Sequence, residues 1–533
     1  MLHSALTLFA LTLFALTAGS SLSLRIIHTN DIHAHYSEFN KFGGDCTQAD
    51  IAANACYGGA ARLATIVGQL RSGHPNSLLF DAGDQAQGTL FYTMGKFNTT
   101  IKVMNQLGYD AMCLGNHEFD DGPDLLATFA QQLRFPVICA NLDASSNVEL
   151  NTAVKPYVVI DKYKLGVIGY ITTTTGSTSN AGSVAFSDAA AAVNKYVDQL
   201  QQRGIRHIIA VSHNGYLEDM GVAAQTRGLG LIVGGHSHTY LSANASEPGT
   251  GGVYPTAVRN RDGQLTYVVQ AKAWGEYVGF VDIEFADSGA VAKISGQPIH
   301  LTQDVADDPG MAAQVREWRR PFAAYGERVV GRFAASTSHE QCKARECALG
   351  DTIADAMLWA GRRNNSTRAD IAIINGGGIR AGIRAGAVRV KDVLLTFPFT
   401  NSLVALELSG HQLHDVIAGV LAKRNAVNGR PISSFIQIAG ARVRYHRDES
   451  DGVHIEAIDM ALDGGWAPLD SEKTYVVVTL DYIARGGDNI IAPASDPPAL
   501  KTLDVVFEEY LSAFSPIAPN LANRIVETGL QTG

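Results

Sequence analysis

The sequence predicts an α/β protein of two domains. At 533 residues the chain exceeds the size at which a single hydrophobic core stops growing. Apolar residues make up 46% of the chain and charged residues 18%, which is enough apolar material for large buried cores. Short apolar runs alternate with helical patterns along most of the chain, and this alternation is typical of α/β domains.

The first element is an apolar segment, residues 1–23, which is rich in Leu, Ala and Phe and has no charged side chain. Small residues from Ala18 to Ser21 precede Arg25, so the segment is predicted to be a secretory signal peptide. A membrane anchor is the alternative, but the segment is barely long enough to span a bilayer and lacks charged flanks. The C-terminus has no hydrophobic tail of the kind that a lipid anchor requires. We therefore expect a secreted protein whose mature chain carries no membrane anchor.

Charge and modification motifs agree with that expectation. A formal net charge of -10 disfavours binding to a nucleic acid polymer or to an anionic membrane. Asn-x-Ser/Thr motifs predict a glycoprotein of the secretory route, and they begin at Asn98, Asn244, Asn364 and Asn365. The oligomeric state is left open by the sequence.

The six cysteines divide into two kinds. Two local pairs could form disulfide bonds that close short loops in an oxidising compartment, Cys46 with Cys56 and Cys342 with Cys347. The other two cysteines lie in apolar runs, where a buried free thiol is usual, and their pairing is left open: Cys113 and Cys139.

A first domain is predicted over residues 24–304. Its apolar runs read as buried strands, each ending in a cluster of Gly, Asp, Asn or His. Ligands of α/β domains gather where loops leave the carboxyl ends of strands. The predicted strands are 24–29, 77–81, 111–115, 137–140, 165–170, 207–212 and 230–235.

A linker helix and a second α/β domain are predicted to follow. Asp307, Asp308 and Pro309 suit a helix start, and Pro321 is expected to interrupt that helix, so residues 305–335 are assigned to the linker. The second domain is expected over residues 336–533. Its predicted strands are 371–374, 403–408 and 475–480.

Polar side chains of the same kinds follow five of the apolar runs. Because the runs should be buried strands, their ends could converge on one pocket. Carboxylate, amide and imidazole groups without thiolates suit borderline or hard divalent cations. Two such cations and two aspartates give a formal charge of roughly +2, which matches a phosphate dianion. The five ends read Asn30-Asp31-Ile32-His33, Gly83-Asp84, Gly115-Asn116-His117-Glu118, His213-Asn214 and Gly235-His236-Ser237-His238.

Any one of these segments, taken alone, is as well explained by a turn or by a polar residue that is satisfied locally. Their order along the chain and their repeated position after buried runs favour a common site. In this order the motifs resemble the calcineurin-like metallophosphoesterases and, within them, the 5'-nucleotidase family. The similarity continues through Asn375-Gly376-Gly377-Gly378-Ile379-Arg380 and Gly486-Gly487-Asp488.

The resemblance implies a calcineurin-like metallophosphoesterase domain, a β-sandwich flanked by helices, joined by a helix to a C-terminal α/β nucleotide-binding domain. It implies two divalent cations, with zinc expected and manganese or cobalt as alternatives, and attack on phosphorus by a metal-activated water. One cation would be held by Asp31, His33 and His238. The other would be held by Asn116, His213 and His236, and Asp84 would bridge the two.

The same resemblance implies the remaining site residues. His117 and Asp120 match a catalytic dyad in which the carboxylate orients the imidazole. Asn375 matches a base-side position, Arg380 a phosphate-side position and Asp488 a ribose-binding position. The aromatic rings that would enclose the base are Phe399 and Tyr482, for which packing in the hydrophobic core is the alternative.

One position departs from the family pattern. Vertebrate ecto-5'-nucleotidases have arginine directly after the first cysteine of the second pair, where this chain has Lys343. Lysine keeps the positive charge but loses the two-pronged guanidinium fork, and Arg345 two residues later could compensate or face solvent. Substrate preference is therefore less firmly indicated than reaction type.

These features predict a phosphohydrolase that converts nucleoside 5'-monophosphates to nucleosides and phosphate. A broader nucleotidase, such as an apyrase or a nucleotide-sugar hydrolase, is the alternative, because the same cations can cleave ester and anhydride links. A nucleotide-binding protein without turnover is the alternative of a different class. The intact ligand set and the intact dyad disfavour it.

Overall fold

The computed structural model of the chain describes residues 22–363, 368–399, 401–462, 465–493 and 499–528. Most of the predicted signal peptide, and the motifs at Asn364 and Asn365, lie outside these residues. The side chains of Asn98 and Asn244 are exposed. No helix in the described ranges is long and apolar enough to cross a membrane.

The first domain is built on two sheets. Its first strand, Leu22–Thr29, pairs parallel with Ser77–Asp81 and antiparallel with Tyr277–Phe285. The seven-stranded sheet has the order Val291–His300, Tyr277–Phe285, Leu22–Thr29, Ser77–Asp81, Ala111–Cys113, Val137–Ile138, Val154–Lys155. The six-stranded sheet has the order Thr256–Arg259, Leu265–Val269, Leu231–Val233, His207–His213, Leu165–Ile171, Tyr157–Ile160.

Alternation along the strands packs the two sheets against each other. Leu24 and Ile26 join a buried cluster with residues of the six-stranded sheet, whereas Ile27 joins the cluster under the helices on the other face. The first sheet is thus covered on both faces, as a β-sandwich flanked by helices requires. The longer helices of this domain are Ala60–Ser72, Phe97–Leu107, Pro123–Gln132, Ala189–Gln202 and Tyr216–Gln225.

Shorter elements complete the first domain. Its short helices are Gln48–Ala52, Leu90–Gly95, Asn116–Phe119, Val148–Ala153, Asp161–Tyr163 and Thr175–Thr178. Two small sheets pair Leu142–Asp143 with Ala185–Phe186 and Leu241–Ser242 with Gly252–Val253.

The helix between the domains is continuous from Pro309 to Gly326. Asp308 caps it by accepting a hydrogen bond from the Met311 amide, as its position before Pro309 predicts. The predicted interruption at Pro321 is wrong. Phe322 is buried against the first domain with Met311, and this packing holds the helix together across a proline that lacks an N–H donor.

The second domain begins where the chain leaves that helix. Val329–Phe333 pairs with Gly386–Arg389, and Val330 and Phe333 lie in the second domain's core. A five-stranded sheet has the order Ile436–Ala439, Ile371–Asn375, Thr474–Leu480, Ser402–Ser409, Ala499–Thr502, and a four-stranded sheet has the order Gly465–Pro468, Val453–Leu462, Ala441–Arg447, Ile525–Glu527. The helices are Ala348–Arg363, Gly376–Gly378, Val390–Thr396, Gly410–Leu421, Asp481–Ala484, Gly487–Asn489 and Leu503–Phe514.

Both predicted disulfide bonds are present, and they lie near the boundary between the domains. Cys46–Cys56 closes a loop of the first domain, and Cys342–Cys347 closes a loop of the second. The thiols of Cys113 and Cys139 are free and buried.

The two domains contact each other through the segment directly before Cys46. Asp45 forms ion pairs with Arg319 of the linker helix and with Lys391 of the second domain. The backbone amide of Gly382 donates to the Phe42 carbonyl at 3.2 Å. These contacts bring the second domain over the strand ends of the first.

Candidate metal centre

All five predicted segments meet at one edge of the sandwich. Four of them follow the strands Leu22–Thr29, Ser77–Asp81, Ala111–Cys113 and Leu231–Val233, and the fifth begins at the last residue of the strand His207–His213. Parallel neighbours place their carboxyl ends side by side, so loops that are distant in sequence become neighbours.

Two groups of possible ligand atoms lie next to each other there. In the first group, His238 Nε2 is 3.2 Å from Asp31 Oδ1 and 3.2 Å from His33 Nε2. In the second, His213 Nε2 is 3.1 Å from Asp84 Oδ2, and the ring centroids of His213 and His236 are 5.1 Å apart. Within each group the ligand atoms lie within 4.8 Å of one another.

Asp84 lies between the groups. Its Oδ2 atom is 3.7 Å from His33 Nε2 of the first group, besides its approach to His213 of the second. Asn116 is buried beside them, and its Oδ1 atom has no hydrogen-bond partner. A buried amide oxygen without a donor is costly, and a divalent cation would satisfy it. The donor set and this orphaned oxygen therefore fit two divalent cations.

Backbone contacts orient two of the imidazoles. The Nδ1–H group of His33 donates to the Ala86 carbonyl at 2.9 Å, and that of His213 donates to the Ala82 carbonyl at 2.6 Å. With Nδ1 protonated, each ring turns the lone pair of Nε2 toward the other ligands. The surrounding structure thus selects the tautomer that binds a metal.

The ligand loops have an unusual backbone. Asp31, His33, Asp84, His236 and His238 all have φ between 47° and 75°, in the left-handed region that side-chain-bearing residues rarely occupy. Each such residue costs free energy that the surrounding packing must offset. This conformation aims alternate side chains of a short loop at the same point.

A residue that the sequence analysis did not assign holds two of these loops together. The buried Glu118 carboxylate accepts hydrogen bonds from four backbone amides, at distances of 2.7 to 3.0 Å, and they belong to Asp84, Gln85, Ala86 and Gly115. Close approach also requires glycine, because a Cβ atom on Gly115 would collide with Asp84. The position of Glu118 directly after Asn116-His117 was the available signal, but only the fold shows which amides it meets.

Electrostatics favour a cation between the groups. Burial lowers the pKa of His33 and of His236, so both imidazoles are neutral and able to coordinate. Burial has the same effect on His213, but the negative charge of Asp84 outweighs it and raises the pKa of His213 to about 10. The buried carboxylate of Asp84 thus requires a positive partner, either a proton or a divalent cation.

The predicted dyad lies at the rim of the ligand groups. His117 Nδ1 donates to Asp120 Oδ2 at 2.7 Å, and His117 Nε2 is 4.0 Å from Asp84 Oδ2. Burial lowers the pKa of His117, but the charges of Asp120 and Asp84 raise it above its usual value. The ring of Phe399, from the second domain, stacks on the His117 imidazole.

The second domain brings two cationic side chains to the same cleft. Arg380 Nη2 is 3.3 Å from His33 Nε2, and no carboxylate among the described residues pairs with its guanidinium within 4.0 Å. Lys343 lies in the cleft and keeps contact with solvent. The protein atoms around it and the charge of Arg380 lower the pKa of its ammonium group. Its charge in turn lowers the pKa of His236 and of His238.

Deeper in the second domain, a polar group surrounds Asp488. Its Oδ2 atom accepts from Asn375 Nδ2 at 2.6 Å, and its Oδ1 atom accepts from Ser433 Oγ at 2.7 Å and from Tyr482 Oη at 3.2 Å. Asn375, Tyr482 and Asp488 were all expected to bind the nucleoside, whereas Ser433 was not identified from the sequence. A serine without a surrounding motif gives no sequence signal of this kind.

Both domains of the chain are similar to those of known proteins. The family model described as calcineurin-like phosphoesterase matches residues 24–240, and the one described as 5'-nucleotidase, C-terminal domain, matches residues 329–495. Snake venom 5'-nucleotidase of Gloydius brevicauda is 32% identical over 535 residues, which cover 96% of this chain and 89% of that protein. The chain belongs to the 5'-nucleotidase family.

Other members of the 5'-nucleotidase family agree along the whole chain. The human 5'-nucleotidase is 32% identical over 505 residues, which cover 91% of this chain and 87% of the human protein. The crystal structure of a 5'-nucleotidase precursor from Thermus thermophilus superposes with a TM-score of 0.85 at 33% identity, covering 95% of this chain and 99% of that one. The predicted fold class and the resemblance are both confirmed.

Proposed function

We propose that this member of the 5'-nucleotidase family hydrolyses nucleoside 5'-monophosphates to nucleosides and inorganic phosphate. The observation that carries the proposal is that two groups of possible metal ligands meet around Asp84, next to the Asn116 oxygen that has no hydrogen-bond partner. Arg380 and Phe399 of the second domain lie against this centre. Ligands for cations thus lie in one domain, and cationic and aromatic side chains that suit a nucleotide lie in the other.

In this proposal, seven side chains hold two divalent cations. Asp31, His33 and His238 hold the first, Asn116, His213 and His236 hold the second, and Asp84 bridges them. Zinc is the proposed metal, with manganese and cobalt as alternatives that the same ligands accept. When bound, the cations supply Lewis-acid charge for the phosphoryl oxygens and activate the attacking water.

In this proposal the dyad of His117 and Asp120 donates a proton to the leaving group. Because His117 Nδ1 donates to Asp120, the other nitrogen, Nε2, is the atom free to hold a proton in the cleft. A proton at that position can be given to the oxygen that leaves with the nucleoside. Asp120 holds the ring in the required orientation and stabilises its positive charge.

The second domain selects the substrate. Arg380 and Lys343 bind phosphate, Phe399 and Tyr482 contact the base, and Asn375 lies on the base side. Asp488 already accepts three hydrogen bonds, and a carboxylate has about four acceptor positions, so one position remains for a ribose hydroxyl.

A broader nucleotidase activity is the second candidate, and Lys343 favours it. Among the described residues its ammonium group forms no hydrogen bond or ion pair, and the carboxylates of Asp488 and Asp31 act on it only through their charge. A flexible ammonium can follow an additional phosphate at several positions, which a di- or triphosphate requires.

The proposal also includes the localisation of the protein, which we expect to be secreted from the cell. The apolar segment of residues 1–23 and the two disulfide bonds support a secreted protein made in an oxidising compartment. Exposed side chains at Asn98 and Asn244 support glycosylation there. Mass spectrometry of the secreted protein, before and after glycosidase treatment, tests both statements.

The activity is tested with the purified protein and a substrate panel. We expect phosphate release to be most efficient with AMP when ADP, ATP and UDP-glucose are compared with zinc, manganese or cobalt present. Asp84→Ala should abolish this activity and lower the bound metal, while Asp198→Ala, at a half-exposed position of the same domain, should change neither. Full metal occupancy in Asp84→Ala would contradict the bridging role, and no phosphate release from any nucleotide would contradict the function.

A further inference from the structure

The stacking of Phe399 on His117 joins the two domains at the catalytic dyad. The ring centroids are 5.2 Å apart and the ring planes differ by 20°. The guanidinium carbon of Arg380 lies 5.8 Å from the centroid of the Phe399 ring. One ring of the second domain therefore contacts the dyad histidine of the first domain and also approaches the guanidinium beside the ligand groups.

This arrangement differs from that of a ring that only supports a base. A flat ring has two faces, and Phe399 uses one of them on His117. The hydrogen bond to Asp120 fixes one atom of the imidazole, whereas contact across the ring face fixes the plane of the ring. The contact also keeps water from that face, and the His117 side chain is only 12% exposed.

We infer that Phe399 is a positioning residue for His117, in addition to any contact that it makes with the base. The inference rests on the proposed function of the dyad. It follows that the second domain completes the catalytic arrangement and does more than bind the nucleoside. Phosphate esters without a base should then also depend on Phe399.

The test separates binding of the base from alignment of the histidine. A ring that only binds the base equally in ground and transition states raises KM when removed and leaves kcat unchanged. A ring that aligns His117 lowers kcat when removed, because small displacements of a catalytic group are costly. AMP and ribose 5-phosphate are compared, since the second has a hydroxyl group in place of the base.

Three variants cover side-chain size and flatness. We expect Phe399→Ala to lower kcat about tenfold on both substrates, and to raise KM in addition for AMP. Phe399→Leu keeps apolar bulk without a flat face and should remain low, whereas Phe399→Tyr should restore kcat. Phe514→Ala, an exposed ring of the same domain, serves as the control for folding and should leave kcat unchanged.

A second readout does not depend on turnover. Stacking shifts the NMR signal of the His117 Cε1–H group through the ring current of Phe399, and this shift should be lost in Phe399→Ala and kept in Phe399→Tyr. Unchanged kcat in Phe399→Ala, or equal kcat in the Leu and Tyr variants, would overturn the inference, as would an unmoved NMR signal. Absence of AMP hydrolysis by the unaltered protein would instead refute the proposed function and leave the NMR result to decide the contact.

Discussion

At the scale of single residues, Lys343 is a position where the sequence analysis found a departure from the pattern of vertebrate ecto-5'-nucleotidases. It lies in the loop closed by Cys342–Cys347, and the Lys343 carbonyl is held by the Phe435 amide at 2.9 Å. The charge of its ammonium group lowers the pKa of His236 and of His238. Lys343 therefore lies close enough to the ligand groups to act on them through its charge.

We expect Lys343→Arg to sharpen the preference for AMP over ADP and ATP. A guanidinium fork binds phosphate in one orientation, whereas an ammonium follows phosphate groups at several positions. The expected change in the AMP to ADP ratio of kcat/KM is about threefold to tenfold, the size of the net contribution of one typical hydrogen bond. Steady-state kinetics with AMP, ADP and ATP provide the measurement, and three unchanged ratios would show that Lys343 does not set specificity.

At the scale of elements, the site depends on the loops more than on the strands that carry them. The strands bring their ends to one edge, but the loop after Ser77–Asp81 is held to the short helix Asn116–Phe119 by Glu118. Four buried amides donate to this one carboxylate, so losing an acceptor oxygen would leave buried donors unsatisfied. Glu118 therefore maintains the geometry of Asp84 without facing the cleft itself.

Glu118→Gln should destabilise the first domain and weaken metal binding. The amide keeps the size of the carboxylate but turns an NH₂ group toward two of the four backbone donors, and each unsatisfied donor costs about 1–3 kcal/mol. Thermal unfolding and metal titration measure the two effects. Glu149→Gln, at an exposed position of the same domain, is the matched control. Equal unfolding temperatures and equal metal affinity in Glu118→Gln and the unaltered protein would disprove the role.

At the scale of the whole molecule, Asp45 connects three parts of the chain. Arg319 of the linker helix donates to it at 3.0 Å, and Lys391 of the second domain donates to it at 2.7 Å. Burial raises the pKa of the Asp45 carboxyl, but the hydrogen bonds and charges of Arg319 and Lys391 outweigh burial and hold that pKa below its usual value. The ionised carboxylate thus stabilises the contact between domains.

Asp45→Asn should destabilise the folded protein, and the loss of stability should depend on pH. Because the folded-state pKa is depressed, the stabilisation is fully present above the unfolded value of about 3.9 and is lost as pH falls through the folded value. At pH 7 we expect a loss on the order of 2 kcal/mol, between that of an exposed and that of a buried ion pair. Unfolding temperatures measured from pH 7 to pH 2 should converge at the acidic end.

The matched control is Asp198→Asn, which removes a half-exposed ion pair with Arg227 within the first domain and should cost less than about 1 kcal/mol. If the unfolding temperatures of Asp45→Asn and the unaltered protein differed by the same amount from pH 7 down to pH 2, the charge of Asp45 would not be the source of the stabilisation.

The sequence alone determined the reaction type and the classes of residue that the centre requires. Strand runs that end in Asp, Asn and His are local patterns, so two α/β domains and five polar segments at a common site could be predicted from residue type and spacing. The seven candidate ligands were implied by the resemblance of those motifs to the family. The two disulfide bonds were also predictable from spacing, since each closes a short loop. The helix through Pro321 was not, because packing of Phe322 against the first domain outweighs a local propensity.

Only the tertiary structure decided how distant residues combine. The four amides around Glu118, the three donors around Asp488 and the position of Phe399 on His117 each join segments that are far apart in the chain. Pattern and propensity act over a few residues, whereas these contacts depend on how sheets, loops and domains pack together. The left-handed backbone at five ligands has the same origin, because tertiary packing holds conformations that the local sequence disfavours.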